Sequence, residues 1–73
     1  MNQTQTRYEI TVNGEVREIT PGFTVTDLVT QLELTPQRVA IEHNLLILAR
    51  SLWPQTHLQP GDRLEIVHFV GGG

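Results

Sequence analysis

The group in this sequence best placed to do chemistry is the carboxylate that closes Val70-Gly71-Gly72-Gly73. Three glycines are a poor way to end a strand, because each loses much entropy on ordering and buries nothing. They suit a thin, flexible peptide. Lacking any Cβ, such a tail could thread a slot too narrow for other residues, and fully extended it would reach about 10 Å past its last anchored position. A carboxylate is ionised at neutral pH and is a poor electrophile. To exchange an oxygen it must first acquire a leaving group, and acyl adenylation by ATP supplies one. A sulfur donor attacking that adenylate would leave a C-terminal thiocarboxylate, a stronger sulfur nucleophile than the carboxylate. The chain has no phosphate-cradling loop of its own, since no helix follows the glycines. Activation of Gly73 therefore falls to a separate enzyme that uses Mg-ATP. The competing reading is an inert linker or frayed end.

The remaining residue types exclude most other chemistry. The 73 residues contain no cysteine, so disulfides, thiolate nucleophiles and Cys-ligated zinc are ruled out. His43, His57 and His68 lack metal-ligand spacing, and Ser51, the only serine, has no Gly-x-Ser-x-Gly around it. We expect no catalytic residue, no metal and no bound cofactor. All five cationic side chains are arginines, spread singly in a chain of net charge −3, which argues against nucleic acid. With no lysine in the sequence, no lysine of the same molecule could capture an activated terminus. No apolar run approaches the roughly 18 residues needed to span a bilayer, and the polar first six residues have no signal-peptide core. A cytoplasmic protein, monomeric when alone, is expected.

The tail must be carried by a small scaffold, and the spacing of apolar residues outlines it. Tyr8, Ile10 and Val12 alternate as in a half-buried strand. Asn13-Gly14 tolerates the positive φ of a type I′ turn, and residues 15–19 should run back antiparallel. Val16 and Ile19 fall on opposite faces there, which allows a bulge. After the Pro21-Gly22 turn, Thr24-x-x-Asp27 reads as a capping box, and apolar residues 25, 28, 29 and 32 form a helical stripe. Pro36 stops that helix near Glu33 or Leu34. Residues 38–43 read as a third strand. The run Leu45-Leu46-Ile47-Leu48 reads as a short strand paired back on it, either as core or as an exposed contact patch. Residues 49–57 are expected to be irregular, anchored by Trp53-Pro54. The Pro60-Gly61-Asp62 turn leads into a last strand over 63–70.

Two strands, a helix and three further strands predict an α+β fold, a β-grasp (ubiquitin-like) roll. Its mixed, mostly antiparallel sheet has four or five strands, with one main helix packed on one face. The first and last strands should lie side by side at the centre. Residues 1–70 form the domain, with 1–6 as a flexible arm and 71–73 as the flexible tail. Along the last strand Leu64, Ile66 and His68 share one face and Glu65, Val67 and Phe69 the other. With Leu64 and Ile66 turned to the core, Val67 and Phe69 would form an outward docking patch just above the tail. The alternative folds Phe69 back over the core.

These features together resemble the thiamine-biosynthesis sulfur-carrier family over residues 8–73. The resemblance rests on the Val12-Asn13-Gly14 hairpin, the helix from Thr24 to Leu32, Val39-Ala40-Ile41-Glu42-His43-Asn44 and Arg50-Ser51-x-Trp53. Its most specific part is Pro60-Gly61-Asp62 leading through the last strand into Gly71-Gly72-Gly73. The family usually places an Asn-Gly-like turn, an apolar pair and a proline where this chain has Asn44-Leu45-Leu46-Ile47-Leu48-Ala49, so the turn lacks its glycine. The resemblance implies a carrier and not an enzyme. Its Gly73 would be adenylated by a ubiquitin-activating-like adenylyltransferase and converted to a thiocarboxylate with sulfur from a cysteine-desulfurase persulfide. Thiazole synthase would then take the sulfur for the thiazole of thiamine. Alternatives of the same fold are a molybdopterin-synthase small-subunit type of carrier, a ubiquitin-like protein conjugated to other proteins, and a binding module with an inert terminus.

Overall fold

A computed structural model describes residues 7–70. The expected arm at 1–6 and the glycine tail at 71–73 lie outside the described residues. Five strands, β1 (Tyr8–Val12), β2 (Glu15–Ile19), β3 (Val39–His43), β4 (Leu46–Ile47) and β5 (Arg63–His68), form one mixed sheet. Their order is β2-β1-β5-β3-β4, so β5 is central and pairs parallel with β1 and antiparallel with β3. Helix α1 (Val25–Gln31) buries Val25, Leu28 and Val29 against Ile10, Ile41, Leu64 and their neighbours on one face. This is the β-grasp arrangement. Removing such side chains from water drives the fold, at about 1.5–3 kcal/mol each.

Local chemistry explains the boundaries. Asn13 (φ 50°) and Gly14 (φ 83°) make the I′ turn. The β1–β2 ladder runs without interruption from Tyr8↔Ile19 to Val12↔Glu15, so no bulge forms. Val16 simply takes the solvent side of an edge strand, 63% exposed, while Ile19 enters the core. The capping box is complete: the Thr24 hydroxyl accepts the Asp27 N–H at 3.1 Å, and the Asp27 carboxylate accepts the Thr24 N–H at 2.9 Å. Helix α1 ends at Gln31, two to three residues before the expected stop. Glu33 (φ 58°) turns left-handed, and its N–H reaches the Thr30 carbonyl while that of Leu34 reaches Val29. This Schellman closure satisfies the last carbonyls before Pro36 is reached.

Two short 3-10 segments replace expected strand or irregular chain. One covers Pro36–Arg38 and delays β3 by a residue. The other covers Arg50–Gln55 and inserts Trp53, 3% exposed, into the core, where its indole N–H donates to the Leu48 carbonyl at 3.2 Å. Strand β5 stops at His68, two residues short of the expected end, although the Phe69 N–H still reaches the Arg38 carbonyl.

The apolar run does form a strand paired on β3, with Glu42↔Ile47 and His43↔Leu46. Its core assignment holds only for Leu48, which packs against the core; Leu45, Leu46 and Ile47 are 70–73% exposed. A two-residue strand at the sheet edge leaves nothing to cover them. Asn44 (φ 53°) and Leu45 (φ 75°) occupy the left-handed positions of a I′ turn. A leucine there is strained by about 1–2 kcal/mol. Leu45→Gly removes that strain but adds freedom to the unfolded chain. The expected net gain is about 0.5–1 kcal/mol, a rise in melting temperature of about 3–6 °C. A fall in a thermal melt would show that Leu45 holds the turn by packing.

Candidate functional site

Strand β5 carries Val67 and leads directly to Phe69 and Val70. It is held from both sides, and one tie bridges the whole chain. The Asn13 side chain accepts the Ile66 N–H at 2.7 Å and donates to the Ile66 carbonyl at 3.4 Å, while the Asn13 N–H donates to Leu64 at 2.8 Å. Asn13 thus extends the short β1–β5 ladder beyond its last strand residue. Sequence reading saw only its turn chemistry.

The start of β5 is fixed by a second cluster that sequence reading also missed. Asp62 is 8% exposed. Its Oδ2 accepts His43 Nε2 at 2.8 Å and the Gln59 N–H at 2.8 Å, and its Oδ1 accepts Asn44 Nδ2 at 3.1 Å. The Asn44 Oδ1 accepts the Arg63 N–H at 2.8 Å. Burial alone would raise the Asp62 pKa. The hydrogen bonds from His43, the Gln59 backbone and Asn44, with the His43 charge, outweigh it and hold the carboxyl below its ordinary 3.8. The available signal was the Pro60-Gly61-Asp62 turn, in which a carboxylate follows a left-handed glycine (φ 83°).

At its other end β5 leads into Phe69 and Val70. Leu64 and Ile66 are buried, whereas Val67 and Phe69, on the opposite face, are 53% and 55% exposed. Phe69 does not close over the core. It walls a shallow groove with Ala40, Ile47, Leu48, Ala49 and Trp53. Arg50 stacks on Trp53 at 5.6 Å and donates from Nε to the Pro36 carbonyl at 3.0 Å, which fixes the groove's rim. Val70, the last described residue, is 93% exposed. Gly71, Gly72 and Gly73, named above for activation and recognition, lie outside the described residues.

The histidines are not brought together. His43 serves Asp62, His57 lies in a backbone bridge with Thr24, and His68 borders a depression beside Asn13, Arg17 and Leu34. No helix among the described residues is long and apolar enough to cross a membrane.

With this geometry in view, the likeness to known proteins is specific. The ThiS family model matches residues 10–73, which includes the three terminal glycines. The chain belongs to the ThiS family. The sulfur carrier protein ThiS of Bacillus subtilis is 38% identical over 50 residues, covering 68% of this chain and 76% of that protein. The crystal structure of the thiamine biosynthesis protein ThiS from Geobacter metallireducens superposes with a TM-score of 0.74 at 31% identity, covering 89% of this chain and 99% of that one. A thiazole synthase of Paramagnetospirillum magneticum is 40% identical over 65 residues, 89% of this chain. The chain spans only 20% of the length of that synthase.

Proposed function

We propose that this chain is a sulfur carrier for thiazole formation in thiamine biosynthesis. The observation that carries the reading is a family match that runs through the last glycine, in a chain whose relatives include proteins named as sulfur carriers. The Gly73 carboxylate attacks the α-phosphorus of ATP on a partner adenylyltransferase, releasing pyrophosphate and forming an acyl adenylate. A persulfide derived from a cysteine desulfurase attacks the carbonyl carbon, and AMP leaves. A thiol then reduces the resulting acyl disulfide by two electrons and frees the thiocarboxylate. Thiazole synthase consumes that sulfur. The chain's own part is positional. Its fold holds β5 rigid, Val67 and Phe69 offer an apolar contact to the partners, and Gly71 and Gly72 follow into the active site. ATP and magnesium belong to the activating partner, and the work is cytoplasmic. The match to part of a thiazole synthase supports that enzyme as the consumer of the sulfur.

The intact mass of the protein from its native cells, taken without reducing agents, tests this. A population heavier by one oxygen-to-sulfur exchange in the C-terminal peptide is expected. An unmodified mass, unchanged by ATP and cell extract, would overturn the reading. Co-purification with thiazole synthase rather than a molybdopterin synthase subunit is expected as well.

Phe69→Ala tests the docking patch. The side chain is half exposed and outside the core, so the fold should lose less than about 1 kcal/mol. Affinity for the adenylyltransferase, measured by titration calorimetry, should fall about tenfold or more, as for an aromatic contact anchor. Unfolding of the variant, with unaltered affinity in the folded remainder, would refute the patch.

A further inference from the structure

Strand β5 loses its β1 neighbour before it ends, and the Asn13 side chain stands in for it. Strand β1 pairs with β5 at Thr11↔Arg63 and Val12↔Leu64. The Asn13 N–H carries the ladder one step further, to the Leu64 carbonyl. In a regular parallel ladder the carbonyl of that same residue would next accept the Ile66 N–H. Here the main chain leaves the sheet instead, because Asn13 takes φ 50° to enter the turn with Gly14. Its carboxamide occupies the vacated place. Oδ1 accepts the Ile66 N–H at 2.7 Å, and Nδ2 donates to the Ile66 carbonyl at 3.4 Å. Among the described residues these are the last hydrogen bonds to β5 from that side. Beyond them the strand is tied only through β3, by Ala40↔Val67, Val39↔His68 and the Phe69 N–H to the Arg38 carbonyl. Val67, Phe69 and Val70 are all exposed.

We propose that Asn13 is a positioning residue for activation of the tail: its carboxamide holds the end of β5 in the geometry in which Val67 and Phe69 meet the activating enzyme. This rests on the carrier reading above. The physical reason is preorganisation. A strand end tied on both sides presents its side chains already ordered, so docking does not have to order them. Without the ties to Ile66, residues 67–70 hang from β3 alone and sample a wider range of positions. Once bound, the enzyme restores the same geometry, so the loss falls on binding and not on the chemical step. Asparagine suits both of its tasks. It tolerates the left-handed conformation of the turn, and its side chain carries an acceptor and a donor together.

Two variants test this. Asn13→Gly keeps the positive φ of the turn and removes both ties. Asn13→Asp keeps the turn and an acceptor for the Ile66 N–H. Each full chain is compared with wild type as substrate of the adenylyltransferase purified from the same cells. Activation is read by ATP–pyrophosphate exchange, at a temperature where circular dichroism shows every protein folded. For Asn13→Gly, KM should rise about three- to tenfold with kcat unchanged, the cost of ordering one or two side chains again on docking. Asn13→Asp should stay near wild type in both constants. In the free proteins the backbone heteronuclear NOE of Phe69 and Val70 should fall in Asn13→Gly and hold in Asn13→Asp. An unchanged KM in folded Asn13→Gly would confine Asn13 to the turn and overturn the proposal, whether or not the melting temperature falls. An equal rise in KM for Asn13→Asp would overturn it as well, because the Ile66 N–H keeps its acceptor there. Either result, with normal exchange by the wild-type chain, leaves the carrier reading intact. Absence of exchange with the wild-type chain would overturn both.

Discussion

Deleting Gly73 is expected to lower the adenylation rate by at least about 100-fold while shifting the melting temperature by no more than about 2 °C. The argument is geometric. Removing one residue draws the carboxylate back by about 3.3 Å along an extended chain. Reacting groups must meet within about 3–3.5 Å, and a misplacement of even about 1 Å can cost about 100-fold. The fold should not notice the deletion, because its buried apolar residues run from Ile10 to Ile66. Changes distant from packed contacts usually stay within about 0.5 kcal/mol. ATP–pyrophosphate exchange beside a thermal melt separates the two effects. Retained exchange would mean that the terminus is not the reacting group. Equal loss of exchange and stability would mean that the tail supports the fold.

Asp62→Ala should be the most damaging single polar change, costing about 2–3 kcal/mol. Hydrogen bonds to a charged acceptor are worth about 1.5–3 kcal/mol, and the truncation strands the donors of His43, Asn44 and Gln59 together. Partial access of water to His43 and Asn44 keeps the cost below the sum. For a domain of this size the melting temperature should fall by about 10–20 °C. The same carboxylate makes a pH prediction. Its folded pKa lies below its ordinary 3.8, so ionised Asp62 stabilises the fold above that value. The contribution is lost as pH falls from about 4 through the lowered folded pKa. Denaturant unfolding between pH 6 and pH 2 should therefore show an acid-side loss that Asp62→Asn lacks. An identical pH profile in the variant would locate the acid sensitivity elsewhere.

The residues that sequence reading placed well are those governed by near neighbours. Alternation over Tyr8–Val12, the Asn13-Gly14 turn, the Thr24–Asp27 box and the stripe at 25, 28 and 29 depend on contacts within a few positions, and each appears in the structure. Alternation likewise put Val67 and Phe69 opposite Leu64 and Ile66. The terminal glycines lie within the span that the family model matches.

What the chain alone left open depends on partners remote in sequence. Leu45, Leu46 and Ile47 have core composition, but their exposure follows from β4 being a two-residue edge strand with nothing packed outside it. Asn13 meets Ile66 across 53 positions, and Asp62 meets His43 across 19. No local pattern marks such a pair, because either residue would look the same in an ordinary turn. The facing of Ala40 and Val67 is of this kind as well. It is set by the register of β3 on β5, and register comes from burying Ile41 and Ile66 together on the other face.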